Sequence, residues 1–165
     1  MPKANRKSGV IEALLDEYRV VLADLKRHLR GVSPRDLARI ADPDTSNPDC
    51  VSIQSVLTHV VYCGYNYLMM MDRHRGGATR PRPKRVVHAD VAEYLVALDR
   101  LMAETETFFA DVSPGEMARH APEKKLRTGW GQICDYEQLM EHAIVHVSRH
   151  RRQIQRFKKL LARPD

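Results

Sequence analysis

Apolar residues recur at steps of three and four along four stretches of the chain, the spacing of one face of an α-helix. These stretches cover about residues 8–30, 53–74, 89–110 and 135–162. Neither a clear strand pattern nor an internal repeat accompanies them. The pattern therefore predicts an all-α protein, built as a four-helix bundle with long connections and short extra helical turns.

Local sequence signals indicate where several of these helices begin and end. Ser52 is expected to cap the second long helix, and Gly31 to end the first. Ser33, followed by Pro34 and Asp36, predicts a short helix directly after that end. These capping residues support the helical assignment independently of the apolar spacing.

The connections between the helices are unusually long for a simple bundle. Segment 76–88 contains Gly-Gly, two prolines and a run of basic residues, which predicts a surface linker with freedom to move. The connections 31–51 and 111–134 are also long, and "DVSPGEM" in the latter starts another helical turn. A length of 165 residues suits one domain, 1–165, but leaves the order of the helices around the bundle open.

The charge balance is basic, with 27 Lys and Arg against 21 Asp and Glu. The excess gathers at 73–85 and 149–159, and such clusters permit nucleic acid, a membrane surface or an anionic substrate. Solvated helix faces and a basic loop are the favoured interpretation of these clusters. Since neither a helix-turn-helix motif nor an aromatic platform lies among the basic residues, nucleic-acid binding is the alternative hypothesis rather than the leading one.

Cysteine usage and the N-terminal segment indicate a cytoplasmic protein. Cys50, Cys63 and Cys134 form no CxxC motif, and their odd number favours free thiols in a reducing compartment. The charged N-terminal segment lacks the apolar core of a secretory leader. No stretch has the apolar length of a membrane helix, so we expect no membrane partner.

Three histidines follow one another at steps of four in the last helix, at positions 142, 146 and 150. Each step turns the face by about 40°, so one metal ion would take two adjacent histidines. By spacing alone the pairs His142/His146 and His146/His150 fit equally well. A solvent-exposed basic helix face is the competing interpretation, because the histidine run continues into "RHRR".

A catalytic metal ion usually has three protein ligands, so a third must come from another helix. His59 is the best candidate because it lies within the apolar stretch "SIQSVLTHVVYCGYNYL" of the second long helix. A buried imidazole there needs either a metal ion or a hydrogen-bond partner. An ordinary core histidine is therefore the alternative.

The two histidine segments together resemble the DinB/YfiT-like family of metal-dependent hydrolases. That family has one histidine in its second helix and a His-x3-His pair in its last, which commonly continues as His-Arg-x-Gln-Ile. Here "HVSRHRRQI" matches, which implies metal ligands at His59, His146 and His150 and leaves His142 outside. Two positions depart from the family pattern, Val51 in place of a tryptophan and Arg152 in place of a glycine.

The resemblance also implies a fold and a chemistry. The family is similar in fold to S-transferases that use bacillithiol or mycothiol, and its members are often dimers. It implies a divalent metal ion (Zn, Ni, Fe or Mn) that activates water for hydrolysis or a low-molecular-weight thiol for transfer to a small-molecule substrate. Arg149, Arg151 and Arg152 are candidates for holding the carboxylates of such a thiol.

Helical spacing brings further side chains to the side of the predicted ligands. They are Ser55, Tyr62, Cys63 and Asn66 around His59, and His142 and Gln153 around the pair. Cys63 has two interpretations, a thiolate ligand or an inert core cysteine. No carboxylate is placed as a general base, so the catalytic residues are not predicted.

Overall fold

The computed structural model describes residues 9–77 and 80–162, and within them it contains six α-helices and one small antiparallel sheet. In chain order the helices are α1 (Gly9–His28), α2 (Pro34–Ala38), α3 (Ile53–His74), α4 (Val91–Ala110), α5 (Pro114–Met117) and α6 (Tyr136–Leu161). The strands β1 (Leu126–Arg127) and β2 (Ile133–Cys134) pair between α5 and α6. The predicted fold class, an all-α four-helix bundle, is confirmed by the four long helices α1, α3, α4 and α6.

The helix α6 packs against both α1 and α3, in opposite directions. Lys158 near its end donates a hydrogen bond of 2.8 Å to the carbonyl of His28 at the end of α1, so α1 and α6 run parallel. Tyr136 at its start donates a bond of 3.2 Å to the carbonyl of Met71 near the end of α3. The helices α3 and α6 are therefore antiparallel.

The helices α3 and α4 run parallel, although they follow each other in the chain. Thr58 and Tyr94 hydrogen-bond near the two starts, and a Cβ at Gly64 would lie 2.4 Å from a methyl carbon of Leu101 midway along. A parallel pair forces the chain to travel back along α3, whose 22 residues span about 33 Å. The described residues 75–77 and 80–90 belong to that return, run along the surface and are here called the strap.

The strap is fastened to the bundle at several points, which the expectation of a freely moving linker did not foresee. Arg80 pairs with Glu104 at 2.7 Å, and Arg85 pairs with Asp49. The carbonyl of His88 accepts a 2.8 Å bond from Gln54. Residues 78 and 79 of the predicted linker lie outside the described residues.

The other two long connections join helices that lie diagonally across the bundle. Segment 29–52 carries the chain from α1 to α3, and segment 111–135 carries it from α4 to α6. The result is a ring in the order α1, α6, α3, α4. This arrangement places α6 beside α3, and the candidate site depends on that neighbourhood.

The core consists of the apolar stripes that the spacing predicted, together with several aromatic residues that it did not include. Predicted positions such as Ile11, Leu57 and Leu101 are at most 1% exposed. Leu14, Val61 and Leu95 are only partly buried against that core. The buried aromatics outside the predicted stripes are Tyr94, Phe108, Tyr136 and Phe157.

Helix caps follow the sequence closely, with one correction. Ser52 and Ser33 cap α3 and α2 through backbone bonds to their hydroxyls, and Gly31 has the left-handed φ of 76° that ends the first helical segment. The third long helix begins at Val91, two residues later than predicted, because the Asp90 side chain accepts the backbone N–H of Glu93 and acts as the cap. The predicted start of α1 at Ser8 lies outside the described residues.

Segment 118–135 is more ordered than the predicted irregular loop. Leu126 pairs with Cys134 and Arg127 with Ile133, and Gly131 takes a φ of 91° in the turn. Strands of two residues are too short to show an alternating pattern, which is why the sequence did not predict them. The hairpin places Trp130 next to α3 and α6.

Two further expectations concern free cysteine thiols and helices that could cross a membrane. Cys50, Cys63 and Cys134 are free cysteines, each half-buried. None of the described helices combines the length and the hydropathy that crossing a membrane requires.

Candidate metal centre

Three histidines from two helices meet where α3 and α6 face each other. The Nε2 atom of His146 lies 3.1 Å from Nε2 of His59 and 3.2 Å from Nε2 of His150. Their ligand atoms all lie within 4.8 Å of one another, and no other such group with three or more members occurs in ranges 9–77 and 80–162. The structure thus brings together the three residues that the resemblance implied, and the cluster could hold a metal ion.

The opposite ring nitrogens of two of these histidines are held by neighbouring side chains. Nδ1 of His59 lies 3.0 Å from the carboxylate of Asp49, and Nδ1 of His150 lies 2.8 Å from the amide oxygen of Gln153. Asp49 is itself held by Arg85 through two bonds of 2.5 and 2.9 Å. Such partners fix the orientation of metal-binding histidines in proteins.

These partners also decide where the protons of the imidazole rings lie. An ionised carboxylate and an amide oxygen only accept hydrogen bonds, so Nδ1 of His59 and of His150 must carry the proton. In the neutral rings both Nε2 atoms then present lone pairs to His146. A single proton on Nε2 of His146 satisfies only one of them, whereas a cation between the rings satisfies all three.

Burial keeps the three rings neutral. Desolvation, followed by the proximity of His150, His59 and other cationic groups, lowers the pKa of His146 to about 3. Desolvation also lowers the pKa of His59 and of His150, although Asp49 and Gln153 partly oppose it. Neutral imidazole is the form that binds metal ions, so the cluster is ready to bind a metal ion at neutral pH.

The spacing of the nitrogen atoms fits a metal ion. Nitrogen ligands at about 2.0–2.1 Å from one zinc ion, at tetrahedral angles, lie roughly 3.3 Å apart. The observed separations of 3.1 and 3.2 Å agree with that value. Imidazole ligands suit zinc, nickel and iron alike, so the donor atoms are compatible with a divalent ion without naming it.

Sequence reasoning missed Asp49, the residue that anchors His59. Asp49 lies in a short 3-10 turn, Pro48–Cys50, which Asn47 caps by accepting the Asp49 N–H at 3.0 Å. The segment "SNPDC" resembles many polar loops, and only its Asn-Pro start indicated a capped turn. Arg85 was equally hidden, because nothing in the linker indicated which of its basic residues turns inward.

The predicted neighbours of His59 have different roles. Ser55 is engaged in the α3 cap, where it exchanges hydrogen bonds with Ser52. The Sγ atom of Cys63 lies 3.6–3.7 Å from both ring nitrogens of His59 but does not belong to the group of mutually close ligand atoms. Burial raises the pKa of the Cys63 thiol to about 11, which favours a protonated, inert cysteine.

His142 lies one turn before the pair and outside the cluster. Its exposed ring stacks on Trp130, at 5.1 Å between centroids and 24° between planes. It also stacks at 6.1 Å on His146, and Tyr67 covers the edge of both histidines. His142 therefore links the hairpin to the cluster without presenting a nitrogen to it.

Tyr62 and Asn66 line a cleft of about 850 Å³ between α3, the strap and the hairpin. The cleft starts one helical turn beyond His59, and the three clustered histidines do not line it. The arginines that the sequence suggested for an anionic cofactor lie elsewhere: Arg151 pairs with Asp24 on α1 at 3.1 Å, and neither Arg149 nor Arg152 lines the cleft. Arg73, Arg82 and Arg127 line it instead.

Comparison with known proteins identifies the family of this chain. A search of curated proteins finds no match. A protein-family model described as the DinB superfamily matches residues 17–154, a range that contains the three clustered histidines and most of both helices that carry them. Because the match covers well over half of the chain, the protein belongs to the DinB superfamily.

Proposed function

We propose that the cluster of His59, His146 and His150 binds one divalent metal ion and that the protein is a metal-dependent enzyme acting on a small molecule. The observation that carries this proposal is the convergence of three Nε2 atoms, with the opposite nitrogens of His59 and His150 already engaged by Asp49 and Gln153. When bound, such an ion would supply Lewis acidity, lowering the pKa of a water molecule or of a thiol.

The two resulting activities are hydrolysis, with water as the nucleophile, and S-transfer, with a low-molecular-weight thiol such as bacillithiol or mycothiol. In both activities, the protein's contribution is to bring three neutral rings together, two of which Asp49 and Gln153 hold in a fixed orientation. Among the described residues, Asp49 is the only carboxylate hydrogen-bonded to the cluster, and it is engaged by Arg85. Burial raises the pKa of the Cys63 thiol, which favours its protonated form in the metal-free protein.

Metal analysis of the purified protein tests the proposal. We expect about one metal ion per chain by the stoichiometry of a three-histidine site, and its loss in His59→Ala and His146→Ala. His142→Ala is the matched control, because it removes an exposed histidine of the same helix outside the cluster. Metal content that is unchanged in both ligand variants, or lost equally in the control, would overturn the proposal.

The choice between water and thiol needs a second measurement. Cobalt substituted for the native ion gives a visible spectrum that changes when a sulfur ligand binds. A change on adding bacillithiol or mycothiol, absent with the corresponding S-methylated thiol, favours transfer. An unchanged spectrum together with hydrolysis of ester or amide substrates favours the hydrolase.

The remaining expectations have their own tests. Nucleic-acid binding predicts affinity for duplex DNA that falls steeply with salt and does not depend on the histidines. The proposal includes a homodimer, which sedimentation analysis of the purified protein checks directly. The cytoplasmic location stays a prediction.

A further inference from the structure

The cleft between α3, the strap and the hairpin, here called the arginine cleft, is lined by eight side chains with polar groups. They are Tyr62, Asn66, Arg73, His74, Arg82, Arg127, Thr128 and Trp130. Its volume of about 850 Å³ lies within the range of small-molecule sites. It is open to solvent, and three cationic side chains face it with no acidic residue in its lining.

The arginines of this region fall into two groups. Arg75, Arg80 and Arg85 each pair with a carboxylate, at distances between 2.5 and 2.9 Å. Within the described part of the chain, Arg73 and Arg82 have no carboxylate partner, and Arg127 makes only a long 3.5 Å bond to the carbonyl of Gly131. The paired arginines fasten the strap and the α5 region, whereas the unpaired ones all line one cleft.

Two neutral side chains of α3 also line the cleft without a hydrogen-bond partner among the described residues. Tyr62 and Asn66 are half-buried, and no described residue hydrogen-bonds to the Tyr62 hydroxyl or to the Asn66 amide. Half-buried polar groups usually find a partner, in the protein or in a ligand. Both side chains line the cleft and lie nearest His59 in the sequence, so they are available as donors for a bound molecule.

The remaining wall of the cleft is apolar. Met69, Met70 and Leu126 line it, and the Trp130 ring, 44% exposed, forms one side. A hydrated inorganic anion would gain nothing from this wall, whereas an anion with an aromatic or aliphatic body would cover it. Guanidinium groups complement carboxylates and phosphates. The cleft therefore offers arginines to the charged group of such a molecule and an apolar wall to its body.

We propose that the arginine cleft binds a small organic anion, whose carboxylate or phosphate is held by Arg73 and Arg82 and whose apolar body lies against Trp130 and Met70. The cleft adjoins the histidine cluster, because Tyr62 follows His59 by one turn and Trp130 stacks on His142, which stacks on His146.

A titration with 1-naphthoate tests the binding, followed through the fluorescence of Trp130, the only tryptophan of the chain. 1-Naphthyl phosphate and the neutral 1-naphthamide are run beside it, the first to rank phosphate against carboxylate. We expect both anions to bind more tightly than the amide. The double variant Arg73→Gln/Arg82→Gln should weaken anion binding about tenfold, since two desolvated charge pairs are lost.

Arg35→Gln is the matched control, because Arg35 is exposed on α2 and lies outside the cleft. Equal binding of amide and anions, an unchanged affinity in the double variant, or an equal loss in the control would each overturn the proposal. Duplex DNA and naphthyl phosphate are also compared, at equal total charge, as competitors of bound naphthoate. If DNA displaces naphthoate at the lower concentration, the cleft is a nucleic-acid surface and the proposal is overturned.

Metal content measured in the same proteins separates this inference from the proposed function. We expect the double variant to keep its metal ion and His146→Ala to keep its naphthoate affinity. If His59→Ala and His146→Ala both keep their metal ion, the proposed metal enzyme is refuted, but the proposed anion binding is not affected. Loss of anion binding in His146→Ala alone would instead show that naphthoate binds at the histidines, which contradicts the cleft.

Discussion

The histidine cluster and the arginine cleft lie along the same helix, α3, but they are built for opposite charges. In the cluster, neutral rings point lone pairs at one spot, and Asp49 and Gln153 hold two of them from behind. In the cleft, Arg73, Arg82, Tyr62 and Asn66 line an open surface and have no hydrogen-bond partner among the described residues. The first is a site for a cation, and the second is a surface for an anion.

The difference follows from burial. Desolvation lowers the pKa of each clustered histidine, so that these rings stay neutral and keep their lone pairs. An arginine cannot lose its proton in this way, and it therefore stays where water or an anion can reach it. One helix serves both sites because His59 lies in its buried first half and Arg73 at its exposed end.

Removing the charge of Asp49 behind His59 should weaken metal binding at the cluster and leave anion binding at the cleft unchanged. Asp49→Asn keeps an oxygen for the ring but loses the carboxylate, and we expect metal affinity to fall roughly 10- to 100-fold, the usual effect of losing such a partner. Competition with a chromophoric chelator measures this. Asp42→Asn, which breaks only the exposed ion pair with Arg156, is the control. Equal metal affinity in all three proteins would refute the anchoring role of Asp49.

Acid should destabilise the metal-free protein through the cluster. The folded-state pKa of His146, about 3, lies below the ordinary value of 6.5, so the unfolded chain binds the proton first. The stability that neutral His146 contributes is complete above pH 6.5 and is lost as the pH falls towards 3. Between pH 7 and 5 the loss is on the order of 2 kcal/mol.

Urea unfolding of the chelator-treated protein at pH 7 and pH 5 measures this loss. His146→Gln should flatten the dependence, because it removes the group that titrates. His120→Gln, a change at an exposed histidine, should leave the dependence as it is. A slope that is the same in all three proteins would contradict the neutral state of the cluster.

Arg85 connects the two regions, so its loss should weaken both slightly. It holds Asp49, and its guanidinium carbon lies 4.5 Å from the ring centroid of Tyr62, which lines the cleft. We expect Arg85→Gln to lower metal affinity and naphthoate affinity by about two- to fivefold each, as for a partly exposed charge pair. Arg35→Gln should change neither. An effect on only one ligand would show that the regions are independent.

Most of the fold could be predicted because it depends on local patterns. The stripe of α1 and the caps at Ser33 and Ser52 follow from residues that are neighbours in the chain. The hairpin at 126–134 could not be predicted, since pairs of strand residues carry no periodicity. The course of the strap was also hidden, because the parallel direction of α3 and α4 is a property of packing.

The candidate site divides in the same way. Spacing alone left two equivalent pairs among the three histidines of α6, and the resemblance to a known family chose His146 and His150. Asp49 precedes His59 by only ten residues, but nothing in "SNPDC" indicates that the turn Pro48–Cys50 brings its carboxylate to the ring. Arg73 and Arg82 belong to a basic run, and the sequence does not indicate which residues of that run line the cleft.

By itself, the sequence determined the helices, their apolar faces and the presence of histidines on two of them, because each of these depends on residues within a few turns of one another. Only the tertiary structure decided that α6 lies between α1 and α3, that Asp49 and Arg85 stand behind His59, and that the arginines without a carboxylate partner among the described residues share one cleft. Those facts depend on how separate segments pack against one another, and local sequence patterns do not determine that packing.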